Sequence, residues 1–251
     1  MLRGVYAAAS GMLARVFQQE RLANDLANIQ TVGYKRQRTT TAAFPNLLVS
    51  RLEGGTATAV GPLGTGTVVV DGGTDFTAGP WQETGRPQDL ALAGQGFFVV
   101  AGPEGPAYTR AGNFQVGPEG YLQTPQGWPV LGTDGQPLWV GTDDLVVTGD
   151  GRVQAGGVEV GTLARVDFAN PERLLRLGDN LFAPTPASGP PVPVDTPVRQ
   201  GVLEQSNVDP ARVVVEMLAN FRAFEAVQRA LQAQDQTLGL AVNEVGRVDR
   251  A

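Results

Sequence analysis

The chain contains no cysteine and no histidine. Their absence excludes a thiol nucleophile, a Ser-His-Asp triad, a zinc finger and any imidazole-based metal site. Lys35 is the single lysine, so acid–base chemistry would fall to carboxylates, that one amine and four tyrosines. No run of eighteen apolar residues occurs, and no membrane-spanning helix is expected. Positive charge is also scarce: the formal net charge is -6, which argues against nucleic acid as a partner. A chain without cysteine suits passage into an oxidising compartment. The opening MLRGVYAAASGMLAR has the outline of a signal peptide, but its apolar run is weak, Arg15 interrupts it, and helical periodicity continues through it. It reads as mature structure, so export would not use a cleaved signal.

Over 251 residues there is length enough for a sizeable core in one or two domains. Hydrophobic residues at 42% and charged residues at 18% fit a folded, water-facing protein. Thirty-three glycines and eighteen prolines favour many turns, hence many short strands.

The two ends differ from the middle. Alternating steps of four and three from Met1 pass through Val5, Ala8, Met12, Leu22, Leu26 and Ile29, broken only by Arg15 and Gln19. Leu2, Ala9, Leu13, Val16 and Ala23 widen that stripe. The same step near the C-terminus passes through Val214, Met217, Phe221, Phe224, Leu231, Leu238, Val242 and Val245, broken by Gln228 and Asp235. A helix of about 30 residues is about 45 Å long, and heptad-spaced seams should pack along their length. The polar seam residues would be tolerated if neighbouring copies supplied their partners. Asp209 and Pro210 mark the start of the second helix as N-cap and first turn. The first reads as helix to about Ile29, then breaks through Thr31-Val32-Gly33-Tyr34.

Between the ends the pattern is β. Short apolar or alternating runs such as DLALAGQGFFVVAG, AYTRAGNFQVG and GVEVGTLARVDF are punctuated by Glu104-Gly105, Glu119-Gly120, Asp134-Gly135 and Asp150-Gly151. This predicts antiparallel, meandering sheets. Residues 170–178 read as one short helix, capped by Asn170 and stopped by Gly178. The tract PTPASGPPVPVDTP, residues 184–197, should be an extended loop.

No chemical motif survives inspection. Gly61 to Thr67 has the outer glycines of a phosphate loop, but Thr67 stands where lysine is needed and a strand follows. Gly94-Gln95-Gly96 runs into the strand Phe97-Phe98-Val99-Val100, which leaves no helix N-terminus for a pyrophosphate; a bulge or close backbone approach explains it. Asp143-Asp144 and the turn acids lack calcium-loop or glycosidase spacing. Trp81, Trp128 and Trp139 suit core or interface, and otherwise a carbohydrate platform. No catalytic, cofactor-binding or metal-binding residue is expected.

Three separated stretches together resemble one family, the bacterial flagellar rod and hook basal-body proteins. LANDLANIQTVGYKR matches its N-terminal signature at Asn24, Leu26, Asn28, Thr31, Gly33 and Lys35, with Asp25 and Gln30 where asparagine is usual. The central stretch is similar at Gly94, Gly96, Phe97, Phe98, Tyr108-Thr109-Arg110 and Gly112-Asn113-Phe114. The closing signature is met at Gly201, Leu203-Glu204, Ser206-Asn207-Val208 and Arg222-Ala223-Phe224-Glu225. The length suits a rod component better than the larger hook subunit.

The resemblance implies an α+β fold. Its terminal N- and C-helices would pack as a coiled-coil-like, tube-forming assembly domain (residues 1–36 and 206–251), with a mainly antiparallel β central domain. Residues 37–66 would run as an extended connector and 67–205 as a β-rich outer domain carrying the Pro-rich loop. It further implies a structural rod subunit, without catalysis or cofactor, that leaves the cell through the flagellar export apparatus. The subunit would assemble with itself and related axial rod and hook proteins, in a basal body crossing the periplasm, and transmit torque from motor to hook. The assembly interface is expected at Val5, Met12, Leu22, Asn24, Leu26, Asn28, Ile29, Gly33, Tyr34, Asn207, Met217, Phe221, Phe224, Leu231 and Leu238. Thr31 to Tyr34 would form the corner at which the tube wall turns outward, so Gly33→Val should leave the β domain intact and impair assembly. A surface adhesin or polysaccharide-binding module is the competing reading of the β-rich middle, and a carboxylate-dependent glycosidase a more distant one.

Overall fold

The computed structural model describes residues 2–44, 47–53, 56–64 and 66–245. The chain is α+β: one helix near each end, α1 (Leu2–Ala27) and α2 (Pro210–Val245), with mainly antiparallel strands between. No helix among the described residues is long and apolar enough to cross a membrane. Two compact units are present, one of Met1–Leu26, Arg38–Gly72 and Pro210–Ala251, the other of Ala27–Gln37 and Gly73–Asp209.

The first unit holds the helices and a β arm. Asn220 of α2 meets Arg15 and Gln19 of α1, while Gly4 faces Gln234. Rising numbers on one helix meet falling numbers on the other, so the two are antiparallel. Gln19, a polar break in the sequence pattern, thus finds a partner within the same chain. The phase of α2 is also corrected. Its buried and half-buried positions include Val213, Met217, Asn220, Phe224, Val227, Leu231 and Leu238, while Val214 and Phe221 are exposed. Counting apolar residues favours Phe221 over Asn220, and only the cross-helix hydrogen bonds reveal which of them turns inward.

Residues 37–74 are rich in threonine and valine, which fit a pleated surface. Strand Gln37–Ala43 pairs with Thr67–Thr74, and Leu47–Glu53 pairs antiparallel with Thr56–Leu63. The Phe44 amide donates to the Gly66 carbonyl at 2.9 Å and continues the first of these ladders.

The second unit is built on a six-stranded antiparallel sheet. Its order is Leu175–Gly178, Leu181–Ala183, Gly105–Thr109, Phe97–Gly102, Arg165–Asp167, Val192–Pro193. Pro193, which cannot donate to a ladder, lies on an edge strand as it must. The unbroken apolar run Phe97-Phe98-Val99-Val100 reflects a strand buried on both faces. Phe98 and Val100 enter one core cluster with Leu90, Phe114, Leu122 and Leu163; Phe97 and Val99 enter the other with Tyr108, Phe168 and Phe182. In the second cluster the rings meet edge to face, with Phe76–Phe97 at 5.0 Å and Tyr108–Phe168 at 4.9 Å between centroids. The Asp-Gly and Glu-Gly pairs turn as expected: Gly105, Gly120, Gly135 and Gly151 all have positive φ.

One expectation fails here. Residues 170–178 form a single 3-10 turn, Pro171–Arg173, followed by strand Leu175–Gly178. Leu174 is already extended at φ -64°, ψ 140°, and the Asn170 side chain donates to Ala187 O instead of capping a helix. The sheet edge offered by Leu181–Ala183 outcompetes a marginal helix.

α1 ends at Ala27, two residues before the expected stop, and the chain then turns through Gly33 at φ +66°. The Gly33 amide donates to Glu204 O at 2.8 Å, and a Cβ on Gly33 would lie 2.4 Å from the Ala111 amide nitrogen. Both the angle and the space therefore require glycine. This revises the expectation for Gly33→Val: a side chain there collides with the backbone of the second unit itself. The substitution should lower the stability of the full chain by roughly 3 kcal/mol or more, combining left-handed strain with overpacking. Thermal unfolding would measure it, and an unchanged midpoint would show that the corner has no part in holding the second unit together.

Candidate functional site

Three short pieces of chain, remote in sequence, converge within the second unit. Val202–Glu204 pairs antiparallel with Trp81–Glu83, and Leu203 and Glu204 turn to the interior. The 28–36 segment crosses beside them, held where Gly33 donates to Glu204 O. Arg110 follows directly on strand Gly105–Thr109. Gly112 sits so close beneath Leu90 that a Cβ would fall 1.6 Å from the Leu90 carbonyl oxygen, which accounts for glycine at that position.

Three charged side chains meet there, almost without solvent. Lys35, Glu204 and Arg110 are 0%, 1% and 4% exposed. Lys35 Nζ donates to Glu204 Oε1 at 2.5 Å and to Thr77 O at 2.7 Å. The same carboxylate oxygen accepts the Gly79 amide at 3.0 Å. Arg110 Nη1 lies 3.5 Å from Glu204 Oε2, donates to Gly94 O at 2.7 Å, and its guanidinium stands 5.5 Å above the Phe97 ring. Burial pushes the Lys35 ammonium below its ordinary value, and the Glu204 carboxylate acts against that shift. Arg110 is lowered for the same reason, opposed by Glu204 and Asp167.

Around this cluster the backbone of 32–36 is fastened from several sides. Asn207 Oδ1 accepts the Arg36 amide at 2.8 Å, while its Nδ2 donates to Asp75 O at 2.7 Å. Asn180 Nδ2 donates to Val32 O at 2.8 Å. Arg176 donates to Lys35 O and lies 5.0 Å from the Tyr34 ring centroid, with its other side toward Phe182. The Asp75 amide donates to Arg36 O at 2.8 Å.

The residues expected at an assembly interface fall into distinct groups. Gly33 and Tyr34 are buried within the second unit, and Asn207 is committed to Arg36 and Asp75. Asn28 accepts the Thr31 hydroxyl at 3.0 Å. Leu22 is buried; Val5, Met12, Ile29, Met217, Phe224, Leu231 and Leu238 are half-buried; Asn24, Leu26 and Phe221 are exposed. Glu204 is foreseen only as part of the closing signature, without a role, and Asn180, Arg176 and Asn220 carry no expectation at all. The available signal was a charge ending the apolar run Val202-Leu203, beside the chain's single lysine in another matched stretch.

The other candidates are absorbed locally. Asp143 accepts from the Gln88 amide, Trp139 Nε1 donates to Glu119 O, Trp81 lies under the Arg199 guanidinium, and Trp128 packs on the core. Among the described residues, no group of three or more carboxylates could hold a metal ion.

The buried ionic cluster thus draws one charged residue from each of the three matched stretches, Lys35, Arg110 and Glu204. Residues 91–155 match the family model described as flagellar hook protein FlgE/F/G D1 domain, and residues 199–244 match the flagellar basal body rod FlgEFG protein C-terminal model. Over 94% of this chain and 96% of the relative, it is 35% identical to the flagellar basal-body rod protein FlgG of Agrobacterium fabrum. It is 32% identical to FlgG of Bacillus subtilis over 97% and 99%, and 30% identical to FlgF of Caulobacter vibrioides over 99% and 100%. The chain belongs to the flagellar hook and basal-body rod protein family. Proteins of this family are structural and not enzymes, which agrees with the expectation of a non-catalytic chain.

Removing one member of a buried ion pair leaves the other desolvated and alone, at a cost of about 3–5 kcal/mol. Glu204→Leu, which strands both Lys35 and Arg110, should lower stability by about that amount, and Lys35→Met, which leaves Arg110 beside Glu204, by less; the double variant should lose less than the sum of the two, read as coupling in a double-mutant cycle. Simple additivity of the two losses would mean that the pair does not act as one clamp.

Proposed function

We propose that this chain is a structural subunit of the bacterial flagellar basal-body rod that polymerises through its terminal helices into a helical tube and carries torque from motor to hook. The observation that carries this reading is apolar surface left on the outside of both helices. On α1, Tyr6, Ala9, Leu13 and Val16 recur at steps of three and four, with Phe17 beside them. On α2, Val214, Val215, Leu218 and Phe221 form a second exposed stripe. Leu13 and Leu218 are 56% and 53% exposed, and burying one leucine side chain yields about 1.5–3 kcal/mol. Two such stripes on one subunit suit a heterologous contact, in which one face meets a different face of the next copy and the array stays open.

In this reading residues 1–36 and 206–251 serve as the assembly domain, with Val5, Met12, Leu22, Leu26, Ile29, Met217, Phe224, Leu231 and Leu238 supporting the wall. Residues 37–66 connect them to the outer domain, 67–205. The partners are further copies and related axial proteins, the location is the basal body across the periplasm, and the route is the flagellar export apparatus, taken unfolded. The names of the relatives, flagellar basal-body rod proteins, support this assignment.

Leu13→Asp and Leu218→Asp test the reading, because both lie on the surface of the isolated chain. Each should change monomer stability by no more than about 0.5 kcal/mol yet abolish tubes seen by electron microscopy of the concentrated protein. Tubes that persist in both variants would overturn assembly through these faces.

A further inference from the structure

We propose that Asn220 fixes the axial register of α1 against α2, acting as a specificity residue for the helix pair at the expense of its stability. Asn220 is 4% exposed and lies one heptad beyond the fully buried Val213, on the inward seam of α2. Its amide nitrogen donates twice across the pair, to the Arg15 carbonyl and to Gln19 Oε1, each at 2.9 Å. Both of its amide hydrogens are therefore used by α1. Its carbonyl oxygen, buried in the same place, has no hydrogen-bond partner among the described residues.

An apolar side chain at this position would avoid that desolvated oxygen, so maximal stability does not explain asparagine. Register does. Sliding one helix by a turn, about 5.4 Å, would take the amide away from Gln19, the partner that does not repeat with the helix as a backbone carbonyl does, and leave it buried with a donor unsatisfied. With leucine the same slide costs only a repacking of neighbours. The apolar seam residues, Ala14 and Leu22 on α1 and Met217, Leu231 and Leu238 on α2, oppose a slide only through side-chain fit, which has no donor or acceptor to match. A single polar residue on such a seam is a known means of setting register. Gln19 supplies the matching half, a polar acceptor at the one level of α1 that Asn220 can reach.

The absence of cysteine makes the register directly measurable. Gly4 faces the Gln234 side chain, the Cβ position lying 3.0 Å from its amide. Gly4→Cys would be combined in the full chain with Gln234→Cys, or with Ala230→Cys or Val227→Cys, one and two turns nearer Asn220. Position 234 is about 21 Å along the helix from Asn220, so the reporter does not disturb the residue tested. Under mild oxidation at low concentration, the intramolecular disulfide at 234 should form at least about tenfold faster than at 230 or 227. In the Asn220→Leu background that preference should fall to within about threefold, with helical circular dichroism retained and the thermal midpoint unchanged or raised. Gln19→Leu, which removes the facing acceptor, should give an intermediate preference. Retention of the tenfold preference in a folded Asn220→Leu chain would overturn the proposal. So would a lowered midpoint with the preference intact in both variants, which would make Asn220 an ordinary stabilising contact.

Discussion

The second unit depends on one desolvated contact, the bond from Lys35 to Glu204. An ammonium and a carboxylate taken out of water lose several kilocalories per mole each in hydration, and their attraction compensates only when the geometry is tight and the remaining valences are filled. Fixed backbone groups supply part of this, the Thr77 carbonyl for Lys35 and the Gly79 amide for Glu204 Oε1, while Glu204 Oε2 has only the Arg110 guanidinium 3.5 Å away. Those groups are in place only after the 75–79 segment, the 202–204 strand and the 33–36 segment have come together. The ion pair is therefore a test of assembly as much as a source of cohesion: a nearly correct arrangement keeps the desolvation cost and loses the compensation.

The same logic runs through the polar groups nearby. Asn207 reads two backbone segments at once, accepting from Arg36 and donating to Asp75. Arg110 lies over Phe97, so the ionic cluster and the aromatic core share a wall. The helices use a milder form of this device. One buried asparagine sits where an aliphatic seam would pack more comfortably, and apolar surface is displaced to the outer faces of α1 and α2. In both units polar residues decide position, while apolar burial supplies most of the free energy.

Much of this was legible from the residues. The helices were marked by periodicity and by Asp209-Pro210, and the hairpins by acid-glycine pairs that take positive φ in the structure. The two-faced strand 97–102 was visible as an unbroken apolar run. The failures have a common cause, competition from partners distant in sequence. Residues 174–178 have a respectable helical pattern but find a sheet edge. Phe221 looks like a seam residue until Asn220 finds Arg15 and Gln19 across the pair. The ionic cluster was the least legible, because Lys35, Arg110 and Glu204 lie in three stretches whose resemblance to one family says nothing of their mutual contact. Gly33 was read for its angle alone, and the neighbouring backbone of Ala111 adds a spatial demand that no local pattern carries.

Burial of Lys35 has a practical corollary. It is the chain's single ε-amine and it has no exposure once the second unit has closed. Reagents that acylate or reductively alkylate lysine would find that target in an open chain and miss it in a closed one. The molecule thus carries its own one-site chemical clock, in which the fraction of chains tagged at Lys35 records how much of the population was unfolded when the reagent was present.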